Sequence, residues 1–569
     1  MFKNLYIKVD FWVLGCCFLL LFSCAKQGSP TGGKKDTHPP VIVETEPESG
    51  SVNFDQDYFD IQFNEFIQLN NIQQNLIVSP PFSEKPEVKI RGKGVRVVLP
   101  EKPQPNTTYS FTFLDAISDI TERNTIQSLV YAFSTGDEID SLKVSGHVKD
   151  AFTDEPVSDI FVMLYSNPAD SMFRKHIPDY LTKTDKQGAF SFFYLARDDY
   201  KIYALDDANY SGTFDQPNEK IAFLDSLITP EVQPEKDSTD SITGFQYLPA
   251  DIELRLFEQA QYLQFVDEAK RPESNHLKVF FKRPQDSVIN WYSPDFDTTQ
   301  VLTDFSENKD SLEFWFTDTS ICIIDSVQLM IDYYSGVDSL GWEKDTLVLS
   351  AESSFYNENL ELTTNFDGGK LNYWELPEIT LNSVTDKISE DRMRLLHHVN
   401  DSVKDTLDFD IHHAKNRRFE VVTEFREGGK YELTIDSLAV RDMLHRYNDS
   451  VTYEFSVNEE EDFSTLIITI PGTGRGWFCD LLQKDKIVKR IVPDDNSTIE
   501  ISHLVSGQYM LRLVEDMNNN KQWDTGDFDK KLQPERVWYK TDKIELRSNW
   551  TQEIQWHVFE EHHDEKKNE

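Results

Sequence analysis

Apolar residues alternate with polar ones in short runs along most of this chain, and Pro, Gly, Asn and Asp break the runs apart. Phe59-Asp-Ile61-Gln-Phe63 and Val95-Arg-Val97-Val98-Leu99 show the pattern near the N-terminus. Leu277-Lys-Val279-Phe280-Phe281 and Leu312-Glu-Phe-Trp-Phe316 repeat it in the middle. A period of two puts every second side chain on one face of a strand, so these runs predict half-buried antiparallel sheets. Turn residues between them predict β-sandwiches rather than helical bundles. The chain reads as all-β.

The first residues follow another rule. Lys3 and Lys8 precede an apolar run from Phe11 to Phe22, which ends at Leu21-Phe22-Ser23-Cys24. A positive start, a short apolar stretch and a small residue before the cut are the parts of a secretory signal peptide over 1–23. The run is too short for a permanent membrane helix. Its ending resembles the lipobox of bacterial lipoproteins. In that family the Cys, here Cys24, receives diacylglycerol and becomes the first mature residue. The resemblance implies anchoring by acyl chains rather than spanning. Residues 24–40, rich in Gly, Lys, Ser, Thr and Pro, are expected as a flexible tether. Lys26 and Gln27 stand where surface lipoproteins of Bacteroidetes carry acidic residues, so an outer-membrane address is expected while the side faced stays open.

Two module types have recognisable landmarks. Asp36-Thr-His-Pro39-Pro40, Pro47, Gly50 and Ile61-Gln-Phe63-Asn64-Glu65 come first. Pro105-Asn-Thr-Thr-Tyr109-Ser-Phe111, Asp115, Asp119 and Tyr131-Ala-Phe133-Ser-Thr135-Gly136 follow. Together they resemble a bacterial Ig-like domain of the S-layer type over 41–137. The family's Asp-x-x-Gly-Asn turn is here Asp119-Ile-Thr-Glu-Arg-Asn124, without the Gly. From 138 to 229, Val144-Ser-Gly146-His-Val148, Pro156-Val157, Ile160-Phe-Val162-Met-Leu164-Tyr165, Thr184-Asp185-Lys-Gln-Gly188-Ala-Phe190 and Tyr200-Lys-Ile-Tyr203 resemble the transthyretin-like (carboxypeptidase regulatory-like) sandwich. In that family the domain is an accessory rather than the catalytic part.

Both patterns recur. Leu195, Tyr200 and Asp207 share their spacing with Leu504, Tyr509 and Asp516, and Asn209 answers Asn518. Tyr109 to Phe133 matches Tyr431 to Phe455, with Asp119 and Asp442 between. A second Ig-like domain is therefore expected over 361–459 and a second transthyretin-like sandwich over 460–558. Between the pairs stand a linker at 230–240 and a β-rich region of unassigned family at 241–360. A charged tail closes the chain at 559–569.

Charge narrows the partners. Lys and Arg number 57 against 99 Asp and Glu, a formal net charge of −42. Phosphate binding needs clustered cations, so nucleic acid is excluded as the main partner. Apolar residues at 39% and aromatics at 12% are enough for several cores across 569 residues. Of five Cys, Cys16 and Cys17 lie in the signal peptide and Cys24 is the lipid acceptor. Cys322 and Cys479 remain, expected as buried free thiols that cannot form a disulfide framework or a Cys-based zinc site.

Candidate chemistry is sparse. Asp516-Met-Asn518-Asn-Asn520-Lys-Gln-Trp-Asp524-Thr-Gly-Asp527 places oxygen-bearing residues at the positions of a calcium loop. Lys521 replaces the Gly of the sharp turn, and Asp527 replaces the bidentate Glu. The alternative is an Asn/Asp-rich turn that caps its own backbone. Asp-(Ser/Thr)-apolar triplets put Ser141, Ser226, Ser311, Thr346, Ser437 and Ser450 in a motif similar to the O-glycosylation acceptor of Bacteroidetes envelope proteins, although turn grammar alone also writes it. His397-His398 and His412-His413 sit on strands, where neighbours face opposite ways and cannot chelate as a pair. Gly472-Thr-Gly474-Arg-Gly476 lacks the Lys-(Ser/Thr) of a phosphate loop.

The reading is a non-enzymatic, lipid-anchored scaffold or adhesion-type protein of the outer membrane that binds a protein complex or a glycan. Its rivals are a hydrolase with its centre in 241–360 and a purely structural spacer. The hydrolase requires converging carboxylates or His between Asp295 and Asp345.

Overall fold

Why each run becomes a strand is visible in which side chains it buries. In Tyr58–Phe63 the aromatic and aliphatic residues Phe59, Ile61 and Phe63 are buried and the residues between them are not. The computed structural model describes residues 35–236, 242–260, 262–285, 289–306, 308–336, 340–354, 360–400, 402–415 and 417–558. Its architecture is all-β. The chain divides into two compact units: Met1–Lys149 with Glu155–Leu256, and Asp150–Asp154 with Phe257–Glu569.

The first unit holds two sandwiches. In the first, a four-stranded sheet runs in the order Ile42–Glu46, Tyr58–Phe63, Gly94–Val98, Glu87–Arg91. It faces a three-stranded sheet of Leu76–Ser79, Thr108–Phe113 and Leu129–Ser134. Aromatic pairs fill the space between: Phe59 stacks on Tyr131 at 3.9 Å and Phe54 on Phe133 at 3.8 Å. The turn that lacks its Gly is made by Arg123, at φ 63°. Asp119 beneath it accepts the backbone N–H groups of Glu122, Arg123 and Asn124 at 2.6, 3.1 and 2.7 Å. Three bonds to one carboxylate hold a left-handed backbone that any residue with a Cβ disfavours.

The second sandwich runs Tyr180–Lys183, Phe161–Tyr165, Lys201–Leu205, Lys220–Phe223, Ile252–Glu258, Leu142–Asp150, Ala189–Leu195. One member departs from the expected boundaries. Ile252–Glu258 lies between Lys220–Phe223 and Leu142–Asp150, so this module continues past 229. The reason is the alternation of Ile252, Leu254 and Leu256 with Glu253 and Arg255, which gives the strand an apolar face that joins the core of Val144 and Val162. Gly146 makes room for it: a Cβ there would stand 2.1 Å from the Ile252 carbonyl oxygen. The expected linker is also a strand over its described residues. Glu231–Lys236 pairs with Ile242–Leu248 in a hairpin, with Val232 opposite Tyr247 and Pro234 opposite Phe245.

Three modules make up the second unit. The region of unassigned family is a seven-stranded arrangement, Asn290–Tyr292, Ser326–Tyr334, Trp342–Ser353, Val266–Glu273, His276–Phe281, Ser311–Phe316, Val301–Phe305. Leu277, Val279, Phe314, Val327, Leu329 and Ile331 fill its core. The next module repeats the first: Leu362–Thr364, Glu378–Leu381, Arg418–Val422, Asp410–Lys415 stand in the order of the first four-stranded sheet, and Met393–Asn400, Lys430–Ile435, Val451–Val457 answer its three-stranded one. The last module pairs a sheet of Thr498–Val505, Phe463–Thr469 and Thr551–Gln555 with one built on Lys486–Ile491, Trp477–Gln483 and Gly507–Glu515.

The repeats extend to single hydrogen bonds. Tyr109 accepts the Gln104 N–H at 3.0 Å, and Tyr431 accepts the Arg426 N–H at 2.7 Å, each five residues back. Tyr200 donates to the Ala196 carbonyl at 3.1 Å and Tyr509 to the Val505 carbonyl at 2.7 Å, each four residues back.

Candidate functional site

The polar clusters singled out by sequence lie where a strand hands the chain to a long loop. Gly507–Glu515 ends at Asp516, which is buried. Its two oxygens accept the N–H groups of Asn520 and Lys521, each at 3.0 Å. Asn518 accepts the Asn520 N–H at 3.0 Å, and Asn520 accepts the Gln522 N–H at 2.7 Å. The side-chain amides of Asn518 and Asn520 both donate to Asp524 Oδ2, at 2.7 and 2.8 Å. Lys521 adopts φ 59° at the position where a calcium loop has Gly. Asp516, Asn518, Asn520 and Asp524 are thus brought together. Asp527 serves a separate turn, accepting the Lys530 N–H at 3.0 Å.

Beneath the loop lies a residue that the sequence reading passed over. Glu535 is buried, with one oxygen accepting the Met517 N–H at 2.8 Å and the other the Asp524 N–H at 3.0 Å. Burial pushes its carboxyl above the usual carboxylate range; the two backbone bonds oppose this, and the charges of Asp524 and Asp516 add to it. Buried Asp480 braces the same loop from the side. It accepts Arg490 Nε at 2.6 Å and Arg512 Nη2 at 2.6 Å, and Arg490 also donates to the Lys521 carbonyl at 2.7 Å. Trp523 Nε1 donates to the Glu535 carbonyl at 2.8 Å.

Whether these groups suit calcium can be read from who donates to whom. Each Asp516 oxygen already holds an amide, and two N–H2 groups converge on Asp524 where a cation would have to sit. Among the described residues, no group of three or more His, Cys, Asp or Glu is placed to hold a metal ion. In this arrangement the loop caps its own backbone, and a cation would require Asn518 and Asn520 to turn their carbonyl oxygens inward.

The same construction stands in the second module. Asp207 accepts the Ser211 and Gly212 N–H groups at 3.0 and 2.8 Å, and Asn209 donates to Asp215 at 3.0 Å. Glu219 closes it from below, with Oε2 accepting the Asp215 and Gln216 N–H groups at 3.2 and 3.1 Å. Glu219 is 1% exposed, and its Oε1 has no hydrogen-bond partner. No sequence signal marks either Glu, because Glu219 stands four residues after the second Asp of its loop and Glu535 eleven after that of the other.

Other sequence candidates are placed as follows. Cys24 lies outside the described residues. Ser141, Ser226, Ser437 and Ser450 are exposed in loops or turns, and Thr346 is exposed on a strand. Ser311 differs: it is 4% exposed within Ser311–Phe316. Its triplet starts a central strand, so the hydroxyl is covered rather than presented on a turn. Cys322 and Cys479 are free and buried, and burial pushes the Cys322 thiol up to about 12. His412 and His413 are exposed, and His397 packs on Tyr431 at 5.0 Å.

Three acids of the middle module's stretch 295–345 each close a piece of backbone or a strand pair. Asp295 accepts the Gln328 N–H at 2.6 Å, Asp318 the Ser320 N–H at 2.8 Å, and Asp345 the Tyr333 hydroxyl at 2.7 Å. Glu313 stands apart, beside His276 at 3.6 Å, Lys278 at 3.0 Å and Arg417 at 3.6 Å. The neighbouring His276, with help from Lys278, holds its carboxyl down at about 2. Trp315 lies between His276, stacked at 3.7 Å, and the Arg417 guanidinium at 4.4 Å. Arg417 comes from the following module, so this cluster is a joint.

Residues 36–135 match the bacterial Ig-like domain family. No curated protein matches the chain. Among solved structures, BcpA, the major pilin subunit of Bacillus cereus, is 8% identical, covering 74% of this chain and 99% of its own, with a TM-score of 0.14. The S-layer protein rSbsC is 10% identical, covering 88% of this chain and 67% of its own, with a TM-score of 0.15. Native alpha-2-macroglobulin from Escherichia coli, domains MG0-NIE-MG1, is 10% identical over 51% of this chain and 98% of its own, with a TM-score of 0.16. At such TM-scores the likenesses bear no weight, and the fold stands on the sheets themselves. Among the described residues no helix is long and apolar enough to cross a membrane.

Proposed function

We propose that this chain is a non-enzymatic scaffold of a bacterial cell envelope, held at the outer membrane by lipid on Cys24, that presents a row of β-sandwiches to a protein complex or a glycan. The observation that carries the reading is the packing of the joints within each unit. In the first, the Ser79 hydroxyl donates to the Leu181 carbonyl at 2.7 Å and accepts the Leu181 N–H at 2.9 Å, stitching the edges of two modules together. In the second, Trp315 is held between His276 and Arg417, while His503 of the last module bonds the Tyr373 hydroxyl at 2.9 Å and stacks on Trp374 at 4.0 Å.

Joints of this kind use stacked aromatics and charge to fix the angle between neighbouring modules. A presenting surface gains from fixed angles, because less freedom is lost on binding. The second and last modules are read as transthyretin-like accessories, in keeping with their shared Tyr bonds and Asp–Asn loops. The exposed acceptors Ser141, Ser226, Thr346, Ser437 and Ser450 are read as glycan carriers that shield strand edges.

The test has two arms. Metabolic labelling with an alkynyl fatty acid should tag the wild-type chain and leave Cys24→Ser unlabelled. Mild-detergent purification from native membranes should co-isolate a stoichiometric envelope partner or a glycan, with glycopeptides at the named acceptors. Turnover of a substrate by the purified chain, abolished by a point change in the middle module that leaves it folded, would overthrow the scaffold reading.

A further inference from the structure

A cavity of about 250 Å³ opens within the first unit, where the first two modules meet. Leu76, Val78 and Phe82 line it from the Ig-like module, and Phe161, Met163 and Leu181 from its neighbour. A cavity of roughly 150 Å³ with such walls takes one benzene ring, so this one takes a ring with a short chain. Joints between modules are where pockets for small molecules collect, and an apolar lining with one or two polar groups is their usual make-up.

The polar group here is Lys85. Its ammonium donates to the Gln73 carbonyl, a neutral acceptor, and no carboxylate lies within ion-pair distance of it among the described residues. Lys85 is itself exposed at the mouth of the cavity, where partial desolvation and the nearby Lys183 both hold its ammonium below its ordinary range. Lys183 is itself satisfied by Asp159 at 2.9 Å. Two carboxylates also border the cavity. Asp207 is spent on the Ser211 and Gly212 amides, and Glu84 is exposed at the rim. Tyr210, on the same loop as Asp207, reaches the Gln74 side chain at 3.4 Å and forms a wall contributed by the second module.

We propose that this cavity is a binding site for a small carboxylate with an apolar body, an arylalkyl or short acyl acid, whose anionic end pairs with Lys85 while its body fills the space between Phe82 and Met163. Such a ligand would touch both modules, so binding would tighten the joint that Ser79 stitches.

Isothermal titration of the full chain in lipid nanodiscs, with empty nanodiscs as blank, tests it with 4-phenylbutyrate, octanoate and the uncharged 4-phenylbutanol. The expected result is binding of both acids at least tenfold tighter than the alcohol. Lys85→Met should cost the acids about tenfold and leave the alcohol unchanged. Ile177→Trp, at an exposed position of the cavity wall, should remove binding of all three while the melting profile stays that of the wild type. Absence of heat at millimolar acid, or acid and alcohol binding alike and indifferent to Lys85→Met, would overturn the proposal.

Discussion

The loops that begin at Asp207 and Asp516 are two solutions to one problem. Each follows a strand whose Tyr bonds four residues back, and each turns on an Asp that takes two backbone amides. Each also bonds an Asn to an Asp eight residues beyond the first, and rests on a buried Glu. They differ at two points. The left-handed position five residues after the Asp is Gly212 at φ 73° in one loop and Lys521 at φ 59° in the other. The Glu beneath uses one oxygen in the first loop and both in the second. The first loop thus has an easy backbone over a badly placed acid, and the second a strained backbone over a well-placed one. Burial raises both Glu carboxyls from the usual 4.5, and the paired Asp charges add to this in each. Similar titration directions therefore conceal opposite hydrogen-bond balances.

The largest expected effect is shared. Asp207→Ala and Asp516→Ala each strand two backbone amides, so each should cost about 2–3 kcal/mol in urea unfolding of its module. Unequal losses would mean that the loops are not equivalent. Next comes the change that should split them. Glu535→Gln replaces one of two working acceptors by a donor facing an N–H, which should cost about 2 kcal/mol. Glu219→Gln keeps the working oxygen and removes only a charge, so it should stay within about 0.5 kcal/mol in acid. Because the folded Glu219 carboxyl is raised, its proton is held more tightly in the native state. Wild-type stability from it is present below the usual 4.5 and is lost as pH climbs through the folded value. Glu219→Gln should therefore become the more stable form as pH rises, in paired melts across pH 4 to 8.

Smaller effects sharpen the same contrast. Tyr200→Phe and Tyr509→Phe should each cost about 1 kcal/mol, one hydrogen bond apiece. Lys521→Gly should be neutral to stabilising by about 0.5 kcal/mol, since relief of the left-handed strain offsets the extra freedom of the unfolded chain. Gly212→Lys should lose about 1 kcal/mol. The smallest effect concerns calcium. Millimolar calcium or its removal by chelator should leave the melting temperature of the last module unchanged. A clear rise would mean that Asn518 and Asn520 turn their carbonyl oxygens toward a cation.

Much of this was legible in the chain and some was not, for physical reasons. Period-two alternation marks a strand wherever one face is covered, so Tyr58–Phe63 and Leu277–Phe281 could be read directly. The spacing of Tyr and Asp exposed the repeats, because a tyrosine bonded a fixed number of residues back needs that spacing. Module limits were harder to place. Ile252–Glu258 looks like any other amphipathic strand, and the sheet it completes is decided by hydrogen bonds to residues more than a hundred positions earlier. Glu219 and Glu535 were missed because a lone Glu in so acidic a sequence carries no signal until its burial is known. The cavity at Lys85 is formed by segments far apart in sequence, and local pattern does not encode their meeting.

The late strand of the second module has a practical and evolutionary consequence. A fragment cut at 229 would carry a slot between Lys220–Phe223 and Leu142–Asp150, with two open rows of amides and carbonyls. Such a piece would be apt to borrow a strand from a neighbouring copy, and recombination could trade this module intact only by taking everything through Leu256.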